Sequence, residues 1–108
     1  MPLRFTSERT FDATCTAAGG ETFRATFRVL NDEEVAGFFS AASGAAPLED
    51  QKAFLRRAVA GLSDLVDDAG APIPFSAELL EQALGMADMR LGLLEGYRKG
   101  LTGAKAGN

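Results

Sequence analysis

A chain of 108 residues, 46% hydrophobic and 24% charged, is expected to form one globular domain with a modest margin of buried core. Its net charge of −4 disfavours sequence-independent binding to nucleic acid, which needs clustered Lys and Arg against phosphates. It contains no histidine and a single cysteine, Cys15, which removes intrachain disulfides, a Cys-based zinc site and any Ser-His-Asp or Cys-His catalytic device.

The first segment, MPLRFTSERTF, has no apolar core of signal-peptide length, and no apolar run in the chain approaches the roughly 20 residues of a membrane span. A soluble cytoplasmic protein with no membrane partner is the expectation. Residues 10–17 (TFDATCTA) then alternate, with Phe11, Ala13, Cys15 and Ala17 on one face. Residues 22–29 (TFRATFRV) alternate again through Phe23, Ala25, Phe27 and Val29. Period two with Thr and Phe enrichment predicts half-buried strands, and the AAGGE between them, with Gly19 and Gly20 free to take positive φ, predicts a hairpin. Cys15 shares the apolar face and reads as a small buried hydrophobe.

In LNDEEV, Asn31 is the N-cap and Glu34 completes a capping box, with Leu30 and Val35 as a hydrophobic staple. Val35, Phe38, Phe39 and Ala42 follow at i, i+3, i+4, i+7, predicting a helix of roughly three turns whose Phe38-Phe39 pair reads as core in preference to a client groove. SGAAP, ending at Pro47, interrupts it. A second helix is predicted from about Glu49 to Ala60, with Leu55, Ala58, Val59 and Leu62 on one face and Lys52, Arg56 and Arg57 as a solvated one. Ser76 caps a third helix with Leu80, Ala83, Leu84 and Ala87 as its stripe, and Phe75 and Leu80 as its staple. A fourth, with Asp88 as its cap, runs to about Leu101 and lines up Leu93, Leu94, Tyr97 and Leu101. The fold class is therefore α+β: an N-terminal β-hairpin followed by about four short α-helices, mostly helical. Residues 1–102 form the single domain and 103–108 a disordered tail.

DDAG, residues 67–70, poses a chemical question. A calcium loop opening at Asp67 would put Ala69 and Ala71 at positions 3 and 5, and one opening at Asp68 would put Gly70 and Pro72 there. Neither frame offers oxygen ligands. Adjacent aspartates in a Gly-Pro turn are solvated instead of shielded as a catalytic pair requires, so DDAG reads as a turn that lets Ser76 start a helix. No catalytic, cofactor-binding or metal-ligating residue is assigned, and an enzyme is not expected; Gly19-Gly20 has no phosphate-loop context.

Two features suggest a surface for partners. Gly92, Gly96 and Gly100 recur every four residues in LGLLEGYRKGL, either a weak surface helix or a strip that lets another helix approach closely. Met86 and Met89 fill core gaps or give an adaptable client surface. These five residues are the candidate interface.

The order of motifs from Phe54 onward resembles the tail assembly chaperones of long-tailed bacteriophages and prophages, or of a related gene transfer agent. The pieces are FLRR at 54–57, Gly61-Leu62, DDAG at 67–70, PIPFS at 72–76 and ELLEQAL at 78–84, after a Thr-rich hairpin and FRVLNDEEV. Leu62 stands where relatives often place Trp. The resemblance covers about residues 8–102 and implies a non-catalytic role. Such chaperones coat the tape measure protein in the host cytoplasm until tail tube protein polymerises around it, act as homo-oligomers, need no cofactor, and are not retained in the mature particle. The competing expectation is a permanent structural tail or head-tail connector protein.

Overall fold

The structure is a computed structural model that describes residues 2–3, 5–6, 8–39 and 47–103. Strands β1 (Thr10–Thr16) and β2 (Thr22–Arg28) pair antiparallel, with Phe11 opposite Phe27, Ala13 opposite Ala25 and Cys15 opposite Phe23. The sequence alternation is the pleat itself: Ala13, Cys15, Phe23, Ala25 and Phe27 are buried, while Thr10, Asp12, Thr14 and Thr16 face solvent. On that outer face Thr26 donates to Asp12 at 2.7 Å and Arg24 to Thr14 at 3.2 Å, so the solvated side of the sheet is a polar cross-strand ladder.

Helix α1 (Asp32–Phe38) begins as predicted, with Asn31 Oδ1 accepting the Glu34 amide at 2.9 Å. The other half of the capping box does not form, because the Glu34 carboxylate accepts from Arg57 Nε at 3.0 Å instead. The helix is shorter than predicted. Ala42, the last residue of its expected stripe, lies outside the described residues, as does SGAAP up to Pro47. Helix α2 (Pro47–Ala58) opens with Pro47 at its first position, where the missing N–H costs nothing.

Helix α2 ends at Ala58, before the predicted Ala60. Val59 and Ala60 do not continue the helix; they open strand β3 (Val59–Ser63), which pairs antiparallel with β2 and extends the hairpin to a three-stranded sheet of order β1-β2-β3. The register slips between Thr26 and Phe27, so that Gly61 faces Thr26 but Val59 faces Phe27, leaving Ala60 as the extra residue of a bulge. The bulge places Val59 and Leu62 on one face although they are three residues apart. Arg28 holds this junction, donating through Nη1 to the carbonyls of Arg57 at 2.9 Å and Val59 at 3.1 Å.

Helix α3 (Ala77–Leu84) is capped by Ser76, whose Oγ accepts the Leu79 amide at 3.0 Å, and it buries Leu80, Ala83 and Leu84. Ala87 does not extend that stripe; it begins helix α4 (Ala87–Thr102). Met86, not Asp88, occupies the N-cap position of α4. The buried residues of α4 are Gly92, Leu93, Gly96 and Tyr97, whereas Leu101 remains 48% exposed, so the buried face is turned from the predicted leucine stripe toward the glycines. Gly103 ends the helix in the left-handed region with φ 70°, and the remainder of the expected tail, 104–108, lies outside the described residues.

The helices cover one face of the sheet. Tyr97 joins the layers: its ring contacts Phe11, Phe27 and Phe54 at centroid distances of 5.5, 5.4 and 5.1 Å, and its hydroxyl accepts the buried Leu30 amide at 3.2 Å. Each fully buried Phe or Leu here contributes about 1.5–3 kcal/mol of transfer free energy. Phe38 is half-buried against Phe54, as expected, while its neighbour Phe39 touches the same ring but is 45% exposed.

Candidate functional site

The chain from Asp64 to Ile73 is a miniature hairpin built by the DDAG turn. Asp64 takes φ 61° and swings the backbone out of β3. Val66 and Pro72 form an isolated antiparallel bridge, and Ile73 N–H donates to Leu65 O at 2.9 Å. Within the turn, Asp67 Oδ1 accepts from the amides of Ala69 and Ala71, each at 2.9 Å, and Gly70 sits at φ 84°. DDAG is thus a turn, but its two aspartates are not equivalent. Asp67 organises the backbone with its carboxylate, which the reading of both as solvated residues did not anticipate.

This hairpin holds Leu65 and Val66 opposite two other elements. One is the β1–β2 connection, where Ala17 N–H donates to Glu21 O at 2.7 Å and Gly19 and Gly20 take φ 77° and 82°. The other is the start of α4. Asp88 ties these two together, since its Oδ2 accepts the Ala18 amide at 3.0 Å while Oδ1 accepts that of Met89. Between the three lies a half-open groove of about 600 Å³ with Phe23, Leu65, Val66, Met86 and Met89 as its apolar lining. Val66 and Met86 present the most surface, 60% and 56% exposed, while Met89 is half-buried and packs against the core. The two methionines of the candidate interface therefore divide, one a surface residue and one partly core.

The groove is acidic at its edge. Glu21, Asp64 and Asp88 line it, and among the described residues no Lys or Arg does. Among the described residues neither Glu21 nor Asp64 has an ion-pair partner. Compared with family models, curated proteins and solved structures, the chain matches none.

Gly92, Gly96 and Gly100 are placed elsewhere. The strip, read from the sequence as either a weak surface helix or a place for another helix to approach, is instead packed against β1 of the same chain. A Cβ on Gly92 would lie 2.5 Å from Thr16 O, one on Gly96 2.6 Å from Cys15 Sγ, and one on Gly100 2.5 Å from Phe11 Cε2. Helix α4 thus runs antiparallel along β1 at a separation that only glycine permits. The sequence reading did not find Leu65, Val66, Glu21 or Asp64 as groove residues. Their proximity depends on β3, which carries the chain back beside β2, and no local pattern around Asp64 marks that return.

A second depression, of about 610 Å³, lies at the opposite end of β1, between Leu3, Thr6, Glu8 and Arg9 of the N-terminal stretch and Phe11, Val29 and Leu101. Among the described residues, no group of His, Cys, Asp and Glu is placed to hold a metal ion, and no helix is long and apolar enough to cross a membrane.

Proposed function

We propose that the chain is a tail assembly chaperone of a long-tailed phage or prophage, or of a related gene transfer agent, acting in the host cytoplasm by binding instead of by chemistry. Its client is the tape measure protein, which it covers until tail tube protein assembles, and copies of the chain act together along that client. The observation that carries this reading is the groove of Phe23, Leu65, Val66, Met86 and Met89. Two of its lining residues, Leu65 and Val66, open the segment LVDDAGAPIPFS, which carries much of the family resemblance. Methionine suits such a surface because its unbranched, polarisable side chain adapts to varied apolar partners. Exposed Val66 and Met86 supply apolar surface for contact with a partner.

Co-expression tests the proposal. A phage tape measure protein should remain in the soluble fraction with the chain present and sediment without it. Met86→Glu together with Val66→Glu should abolish that protection while leaving the far-UV circular dichroism unchanged, because both side chains are more than half exposed. A client that stays insoluble with the chain in excess rejects the reading. Recovery of the chain from purified particles at the copy number of the tail tube would favour the permanent structural tail or head-tail connector protein instead.

A further inference from the structure

We infer that the occupant of the groove is a basic amphipathic segment, with apolar side chains seated on Val66, Met86 and Met89 and flanking Lys or Arg side chains paired with Glu21 and Asp64. This rests on the reading of the groove as the client site and adds the chemistry of the segment it takes. An apolar surface of this size accepts many partners; the rim selects among them. Among the described residues every charged one in the lining is a carboxylate, and Asp67 and Asp68 lie a short distance along the chain from Val66. Glu21 and Asp64 are exposed and have no cation of their own chain beside them among the described residues, so they stay available to a partner. The summed field attracts cations into the cleft and repels anions, which sets both association rate and partner choice.

A second copy of this chain is the poorer occupant. Each copy carries a net charge of −4. Its arginines are largely committed: Arg28, Arg56, Arg57, Arg90 and Arg98 all donate to acceptors of their own chain. A segment bringing its own cations has no such cost.

The test uses two fluorescently labelled helical peptides. One has Leu at i, i+3, i+4 and i+7 with Lys elsewhere, and its twin has each Lys replaced by Glu. Fluorescence anisotropy with the intact chain at low ionic strength should show the Lys peptide binding about tenfold more tightly than the twin, the sum of a few exposed pairs. That preference should shrink as salt rises. In the double variant Glu21→Gln, Asp64→Asn it should fall toward one. Asn is chosen because it tolerates the φ of 61° at position 64, so the fold is kept. Equal binding of the two peptides, binding of neither, or a preference unchanged in the double variant overturns the inference. So does a dimer of the chain alone that Met86→Glu dissociates, since a second copy would then fill the groove. Client solubilisation is read separately. A double variant that still protects the tape measure protein leaves the chaperone proposal standing while the rim assignment falls, and a selective peptide effect without client protection does the reverse.

Discussion

Gly96 shows how a weak helix residue becomes a strong packing residue. In a solvated helix, Ala in its place would gain about 1 kcal/mol. Here the added methyl would meet Cys15 Sγ at 2.6 Å, in a core where overpacking costs roughly 1–3 kcal/mol. Gly96→Ala is therefore expected to destabilise. Combining it with Cys15→Ala should recover much of the loss, because the remaining neighbours, Cys15 Cβ at 3.7 Å and Phe27 Cε2 at 3.8 Å, lie at ordinary contact distance. Urea unfolding of the four species in a double-mutant cycle measures the coupling, and simple additivity would show that the sulfur is not what excludes a side chain. Cys15 also gives a pH signature. Burial raises its thiol pKa from 9.0 to about 11, opposed only in part by the charge of Arg24. Below 9.0 the thiol is protonated in folded and unfolded chains alike. From there to about 11 the unfolded chain releases the proton and the folded one retains it, so stability falls as pH rises, by on the order of 3 kcal/mol in all. The difference between wild type and Cys15→Ala should be flat near neutrality and narrow across that alkaline window; parallel curves would place the thiol in contact with water.

Among the elements, those fixed by short-range signals were legible and the one fixed by a long-range pairing was not. Asn31 and Ser76 announce their helices because a cap needs only its own amide neighbours, and the hairpin strands announce themselves by period two. Strand β3 is concealed by its bulge. Leu55, Ala58, Val59 and Leu62 are all buried, at spacings a helix would give, yet the last two reach the core from a strand whose extra residue turns period two into three. The groove inherits that concealment, since Asp64 to Val66 reach the β1–β2 connection only because β3 has returned beside β2. The glycine strip left a weak surface helix and a close approach both open, because spacing within one helix says nothing about its neighbour; β1 is that neighbour. The DDAG turn was legible in kind and not in detail. Asp67 accepts two backbone amides, so Asp67→Ala should cost roughly 1 kcal/mol and loosen the hairpin that carries Val66, whereas Asp68→Ala should lie within about 0.5 kcal/mol of wild type. Thermal unfolding of the two single variants distinguishes them; equal effects would mean that the carboxylate of Asp67 does not organise the turn.

At the scale of the molecule, sheet and helices are held by one cluster. Tyr97 reaches from α4 to Phe11 of β1, Phe27 of β2 and Phe54 of α2, and through its hydroxyl to the Leu30 amide at the entrance to α1. Helix α3 joins by Leu80, Ala83 and Leu84, and Arg90 links the helices by donating to Gln51 of α2 and to the Leu84 carbonyl of α3, each at 3.0 Å. With so little of the core outside this cluster, no element has a separate apolar centre on which to survive alone, and unfolding should be a single cooperative transition. The sequence supplies its own reporter. The chain has one tyrosine and no tryptophan, so intrinsic fluorescence excited in the near ultraviolet reports on Tyr97 almost alone, while far-ultraviolet circular dichroism reports on all the helices and strands. In urea the two signals should change at the same midpoint with the same slope. Tyr97→Phe removes the fluorescent reporter and leaves the Leu30 amide buried without an acceptor, so its circular dichroism midpoint should drop by the equivalent of about 1–3 kcal/mol with the slope retained. A tyrosine transition that precedes the loss of circular dichroism would mean that helices outlive the cluster, and the layers would then be joined by contacts other than those around Tyr97.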